Sequence, residues 1–257
     1  MQQSGHSRRQ VQQIISYWLH HPPAVTGPLA HIRSIVLDGT YIENRHHGAM
    51  VCIDGVSNDI VAGAYDIKEG SRAMFEFLLG LKERGMSPNS ATIDGLPSVF
   101  RCLKLLWPSI IIQRCLVHVQ RQGLMWCRRT PKRRDAKALR AIFLRVMSLD
   151  TEEERDKFLY DVHAWEDRYG VRLASVPERG WVMSDLKRAR SMLLKALPNM
   201  FHYLDDLTIP KSTNGIEGYF SRMKGLYRQH RGLSDAHRSA YFHWHFLLSQ
   251  HRSSNTK

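Results

Sequence analysis

Three acids far apart in the chain, Asp38, Asp94 and Glu217, stand where their carboxylates could converge on one hard cation. Asp38 interrupts Ser34–Ile42, a run of apolar and β-branched residues that reads as a buried strand, where an unpaired carboxylate is costly. Asp94 closes the short apolar run Ala91–Ile93 ahead of Gly95, and Glu217 follows Asn214-Gly215-Ile216. Mg²⁺ or Mn²⁺ takes carboxylate oxygens, and ions held this way activate an attacking oxygen and stabilise a leaving one in phosphoryl transfer. Each acid also has a plain structural reading. Asp38 could be a hydrogen-bonded strand residue, Asp94-Gly95 a turn entering a helix, and Asn214 with Glu217 an N-cap residue and its N3 acid. Glu43, Asp54, Asp59 and Asp66, near strand ends or turns, could stand in for any of the three.

Cys115 and His118, spaced as Cys-x-x-His, have three open readings: half of a zinc site, a buried structural pair, or an active-site or DNA-facing pair. A structural zinc site needs four ligands, and only Cys127, His243 and His245 suggest themselves as partners. The four cysteines are too scattered for a disulfide framework in a chain of 257 residues and are expected to be reduced.

The elements that must position these groups follow from periodicity. Val11, Ile14, Ile15, Trp18 and Leu19 share one face of an amphipathic helix that His20-His21-Pro22-Pro23 stops, and such a helix either packs on the main domain or is the remnant of a domain that continued upstream. Ser34–Ile42, Gly48–Asp54 and Asp59–Tyr65 predict three strands in an antiparallel meander. From Ser71 the spacing of Met74, Phe77, Leu78 and Leu81 predicts a helix closed by Gly85. Ala91–Ile93 is a fourth strand, Pro97 opens a second helix, and Ile110–Ile112 a fifth strand. From Leu116 to about Leu197 the pattern is helical, with a capping box at Thr151–Glu154, and Ser212–His251 is helical again. Ser253–Lys257 reads as a frayed tail.

The formal charge is +13, from 37 Lys and Arg against 24 Asp and Glu, which favours a polyanionic partner, nucleic acid before an anionic membrane. Charges interrupt the apolar runs before the roughly 20 residues that a membrane span requires. Arg128, Arg129, Lys132, Arg133, Arg134, Lys137 and Arg140 crowd the helical segment and are either a solvated face or a phosphate-backbone contact. Arg222, Lys224, Arg228, Arg231 and Arg238 alternate with Tyr219, Phe220, Tyr227 and Tyr241, a mixture that suits single-stranded or distorted DNA.

Leu37-Asp38-Gly39-Thr40, Ile93-Asp94-Gly95, Arg114-Cys115-Leu116-Val117-His118 and Thr213-Asn214-Gly215-Ile216-Glu217 together resemble the DDE transposases of bacterial insertion sequences related to the eukaryotic Mutator elements, over nearly the whole chain. The resemblance implies an α/β, RNase H-like fold: a mixed five-stranded sheet flanked by helices, with an all-helical insertion before the last catalytic helix. Residues 31–115 and 210–251 would be the core, 116–209 the insertion, and 1–30 the end or remnant of an upstream DNA-binding module. It implies Asp38, Asp94 and Glu217 as the catalytic, Mg²⁺- or Mn²⁺-binding triad and Cys115 and His118 as a signature pair. The expected activity is cleavage at element ends and strand transfer on double-stranded DNA, with Arg128, Arg129, Lys132, Arg133, Arg134, Arg222, Lys224 and Arg228 gripping the backbone. A homodimer or higher oligomer in the cytoplasm, associated with the nucleoid, is expected. A truncated, catalytically idle DNA-binding remnant and an RNase H-like nuclease are the alternatives. Gly215 departs from the pattern, standing where a residue such as Ala is expected.

Overall fold

The computed structural model describes residues 5–24, 27–43, 47–67, 72–175, 181–230 and 232–252; Ser71, Arg231 and Ser253–Lys257 lie outside the described residues. After the amphipathic helix α1 (Arg8–His20), runs of apolar and β-branched residues build β1 (Ser34–Glu43), β2 (His47–Asp54) and β3 (Ile60–Tyr65). Helix α2 (Arg72–Glu83) leads to β4 (Ser90–Ile93), and α3 (Pro97–Leu106), with Pro97 in its first turn, to β5 (Ile111–Arg114).

These strands form one sheet in the order β3-β2-β1-β4-β5. The first three make the expected antiparallel meander, while β4 and β5 run parallel to β1 because helices carry the chain back between them. This mixed five-stranded sheet flanked by helices is an RNase H-like fold. The fifth strand takes in Gln113 and Arg114 where the apolar run predicted Ile110–Ile112. A buried polar residue is tolerated there because the Gln113 amide donates to the Met200 and Arg114 carbonyls at 2.9 and 2.8 Å.

Among the described residues six α-helices follow before the chain returns to the sheet: α4 (Leu116–Cys127), α5 (Arg134–Arg145), α6 (Glu152–Trp165), α7 (Val171–Ser175), α8 (Trp181–Ala196) and α9 (His202–Asp205). Thr151 and Glu154 cap α6 reciprocally, as their spacing predicts. These helices enclose their own apolar cluster, which includes Leu139, Phe143, Phe158, Leu186 and Leu193. Then α10 (Asn214–Tyr227) and α11 (Asp235–Arg252) lie across the sheet.

Period two divides the sheet between two further clusters. Ile35, Leu37, Ala91 and Ile93 pack with α2 and α3. Val36, Val51 and Ile53 pack with Ile216, Phe220 and Met223 of α10 and Phe242 and Phe246 of α11. Each large apolar side chain buried this way is worth about 1.5–3 kcal/mol, so the faces of β1 are fixed strongly. Helix α1 buries no residue fully and docks on α11, with the Trp18 and Trp244 rings 5.1 Å apart and the Trp244 indole donating to the Trp18 carbonyl.

Candidate active site

Strand register brings two of the three acids together. Ser34, Ile35 and Val36 pair with Ser90, Ala91 and Thr92, a constant offset of 56 residues; carried two residues further, it sets Asp38 level with Asp94. Pairing stops at Val36 and Thr92, so the acids stand where two parallel strands part. Asp38 shares the face of Val36, opposite Ile35 and Leu37, and therefore looks toward α10. Asp38 and Asp94 line one cavity of about 450 Å³, together with Gly39, Thr40, Leu96 and His118.

Gly95 explains how Asp94 is presented. Its φ of +94° lies in the left-handed region, and a Cβ there would fall 1.6 Å from the Arg114 guanidinium, so both conformation and space require glycine. Arg114 donates to the Gly95 carbonyl at 3.0 Å, which clamps the turn from the side of β5. Asp94 Oδ1 accepts from the Leu96 amide at 2.9 Å. The turn reading of Asp94 therefore holds for one carboxylate oxygen, while the same side chain also lines the cavity.

Asp38 is 9% exposed. Burial pushes its carboxyl up to about 6, against the opposing effects of His118, the Gly39 amide and the Thr213 hydroxyl, and Asp94 adds to the rise. His118 carries the compensating charge. Cys115 has the largest influence on it, and with Asp38 and Asp94 raises it to about 9 although burial opposes. Cys115 acts on the imidazole first through a side-chain hydrogen bond and then as a neighbouring charge. Burial would raise the Cys115 thiol, but His118 and Thr213 outweigh it and hold the thiol below its usual range.

Cys115 also positions the return of the chain. Its Sγ accepts from the Thr213 amide at 3.3 Å and lies 3.5 Å from the Thr213 hydroxyl. Nearby, Thr92 donates to the Pro210 carbonyl at 2.7 Å and the Leu116 amide to the Lys211 carbonyl at 2.9 Å. Residues 210–213 are thus stitched to the ends of β4 and β5, and this sets where α10 begins. The N-cap is Thr213 and not Asn214, and its hydroxyl is turned to Cys115 instead of capping the helix. At Gly215 a Cβ would lie 2.8 Å from Asn58 Oδ1, so the close approach of the β2–β3 turn accounts for glycine where alanine was expected.

Glu217 therefore sits one position beyond a capping-box acid, and its carboxylate is engaged elsewhere. Arg121, one turn beyond His118 on α4, donates to both Glu217 oxygens at 3.0 and 3.3 Å. A neighbouring cavity of about 320 Å³ is lined by Asp38, His118, Glu217, Ser221 and Lys224, whose ammonium donates to the Thr40 hydroxyl at 2.6 Å. Asp38 and His118 are thus the shared wall between Asp94 on one side and Glu217 on the other. No three His, Cys, Asp or Glu side chains among the described residues close into a metal-holding group. Asp38 and Asp94 fit a divalent cation, because a buried carboxylate raised to about 6 beside a second carboxylate is relieved by positive charge. Glu217 fits only once Arg121 lets go, and an exposed ion pair of this kind holds by about 1 kcal/mol or less.

Other residues weighed from the sequence are occupied differently. Asp54 accepts from the Val56 amide and the Ser57 hydroxyl and so serves a turn, while Asp66 pairs with His47 at 3.0 Å across the ends of β3 and β2. Cys127 is buried in the cluster of helices α4–α9 and His245 stacks with Tyr241, and among the described residues no third His, Cys, Asp or Glu closes with Cys115 and His118 into a metal-holding group. Arg128, Arg129, Lys132, Arg133 and Arg134 are exposed, with Arg128 paired to Asp185 and Arg133 to Asp135. Arg222 and Arg228 are exposed on and just after α10, while Lys224 is half-buried in the site. Arg121 escaped the sequence reading; its spacing of three from His118 on one helix was the available signal.

A family model described as "Transposase, Mutator family" matches residues 31–224, a range that contains Asp38, Asp94, Cys115, His118 and Glu217. The transposase for insertion sequence element ISRM3 of Rhizobium meliloti is 27% identical over 139 residues, covering 52% of this chain. The match spans 34% of that relative's length.

Proposed function

The chain belongs to the Mutator family of transposases, and from that membership we propose that it is a DNA transposase whose Asp38, Asp94 and Glu217 form the catalytic centre. The reading is supported above all by the one cavity that Asp38 and Asp94 line where two parallel strands part. The reaction is phosphodiester cleavage at an element end followed by strand transfer. In the first step a water oxygen forms a bond to phosphorus while the bond to the 3′ oxygen breaks and frees a hydroxyl. In the second, that hydroxyl forms the new bond to a target phosphorus and displaces another 3′ oxygen.

Asp38 and Asp94 would hold Mg²⁺ or Mn²⁺, with Glu217 joining after release from Arg121. Such an ion, when bound, supplies charge that polarises the phosphate and lowers the pKa of an attacking oxygen. The remaining roles belong to side chains. His118, raised to about 9, is cationic at neutral pH and offsets Asp38, which keeps a phosphate from meeting uncompensated negative charge. Lys224, steadied by the Thr40 hydroxyl, faces the same cavity as Glu217 and would grip a phosphate oxygen there. The backbone grip would extend to Arg128, Arg129, Lys132, Arg133, Arg134, Arg222 and Arg228. Acting on two element ends calls for two copies of the centre, hence a dimer or higher oligomer. No described helix is long and apolar enough to cross a membrane.

The test is Mg²⁺-dependent cleavage and joining of DNA carrying the element's own ends, comparing the wild type with Asp38→Ala and Glu217→Ala. Both variants should lose cleavage while still binding DNA; cleavage at the wild-type rate by Asp38→Ala removes the assignment. A second reading is favoured by the Arg121–Glu217 pair and the lack of a closed acidic trio among the described residues. On it the chain binds element DNA and cuts nothing, so binding by the wild type with no metal-dependent cleavage would select it.

A further inference from the structure

A second basic surface meets the site described above only through Gly95 and Arg114. A groove of about 470 Å³ is lined by Arg114, Lys187, Arg188, Ser191 and Lys195, with Trp126, Met192 and Gly95 completing it. Lys187, Ser191 and Lys195 are spaced by four along α8 and so form one row on its surface. No acid among the described residues lines the groove. Arg188 has an acidic neighbour, Asp185 at 3.7 Å, whereas neither Lys187 nor Lys195 has an ion-pair partner among the described residues. Arg114 closes the end nearest the acids, with its buried Nε unpartnered. Four cations facing one groove repel one another and are reconciled by an anion placed among them.

Resting on the reading of this chain as a transposase, we propose that the groove holds the phosphate backbone of an unpaired DNA strand leading to Asp38 and Asp94. Continuity supports the direction: Gly95 belongs to the groove, and Asp94, the residue before it, to the acidic cavity. The lining supports the kind of strand. An indole and a thioether beside a row of cations offer surfaces to exposed bases as well as to phosphates, and a duplex keeps its base faces stacked away. Arg114 then has two duties, clamping the Asp94-Gly95 turn and meeting the phosphate next to the one that reacts.

The test uses the full chain, fluorescence anisotropy and two probes, a labelled oligothymidylate and a blunt duplex of equal length, titrated over a range of salt. Lys187→Ala/Lys195→Ala is compared with the wild type and with Lys157→Ala, an exposed lysine of α6, circular dichroism confirming that all are folded. Each lost single-strand phosphate contact lowers the slope of log K against log salt by about 0.7, so the double variant should lose about 1.4 on the oligothymidylate. Its loss on the duplex should be smaller, and Lys157→Ala should match the wild type on both. An unchanged slope for the double variant overturns the groove while leaving the transposase reading intact. An equal loss on the duplex overturns the assignment to an unpaired strand. Failure of the wild type to bind either probe overturns the groove and the DNA reading together.

Discussion

Replacing Asp38 by Asn should stabilise the metal-free protein at neutral pH. The carboxyl rises from its ordinary 3.8 to about 6 on folding, chiefly through burial, so ionised Asp38 is a charge that the fold holds at a loss. At 1.36 kcal/mol for each tenfold change, that rise is worth about 3 kcal/mol. The sign follows from proton binding. The folded state holds this proton more tightly, so its contribution is fully present below pH 3.8, is lost as pH climbs toward about 6, and is absent above. Asparagine keeps the shape and an acceptor oxygen for the Gly39 amide, but carries no charge to bury. Thermal unfolding in chelator at pH 7.5 should place Asp38→Asn above the wild type by about 3 kcal/mol, or about 6–12 °C for a chain of this size. The gap should close below about pH 4. Saturating Mg²⁺ should raise the wild type by about 2.7 kcal/mol at a hundred times its dissociation constant and leave Asp38→Asn nearly unmoved. An Asn variant no more stable than the wild type at pH 7.5, or a gap of the same size at pH 4 and 7.5, would refute the reasoning that Asp38 is strained by burial.

Two further outcomes follow from the same geometry. In Cys115→Ala the His118 ring should titrate well below the value near 9 that it has in the wild type, because Cys115 is its largest stabilising neighbour; proton NMR of the ring resonances checks this, and an unmoved midpoint contradicts it. Gly95→Ala meets both a left-handed backbone and the Arg114 guanidinium, so it should destabilise by more than about 2 kcal/mol. The double variant with Arg114→Ala should recover only the steric part, leaving about 1–2 kcal/mol of backbone strain in urea unfolding.

Asp38 could be picked out from residue types alone, because an acid inside Ile-Val-Leu-x-Gly-Thr-Tyr-Ile conflicts with its surroundings wherever the strand is placed. The strands and helices were similarly legible, since period two and period 3.6 are local properties of the chain. Polar residues that find partners only after folding were not. Gln113 extends β5 because Met200, 87 residues away, accepts its amide hydrogen, and Thr213 turns from capping α10 toward a thiol 98 residues earlier. The reason for Gly215 is similarly distant, an approach by Asn58 that no neighbour in sequence foretells. Glu217 marks the sharpest division. Its motif and its place on a late helix were readable, but the ion pair with Arg121, and the arrangement of two cavities about Asp38 and His118, are products of how α4 and α10 pack. The sequence by itself determined which residues could do chemistry, through local pattern and burial cost; only the tertiary structure decided which oxygens and cations face one another, because electrostatic partners are set by distance in space.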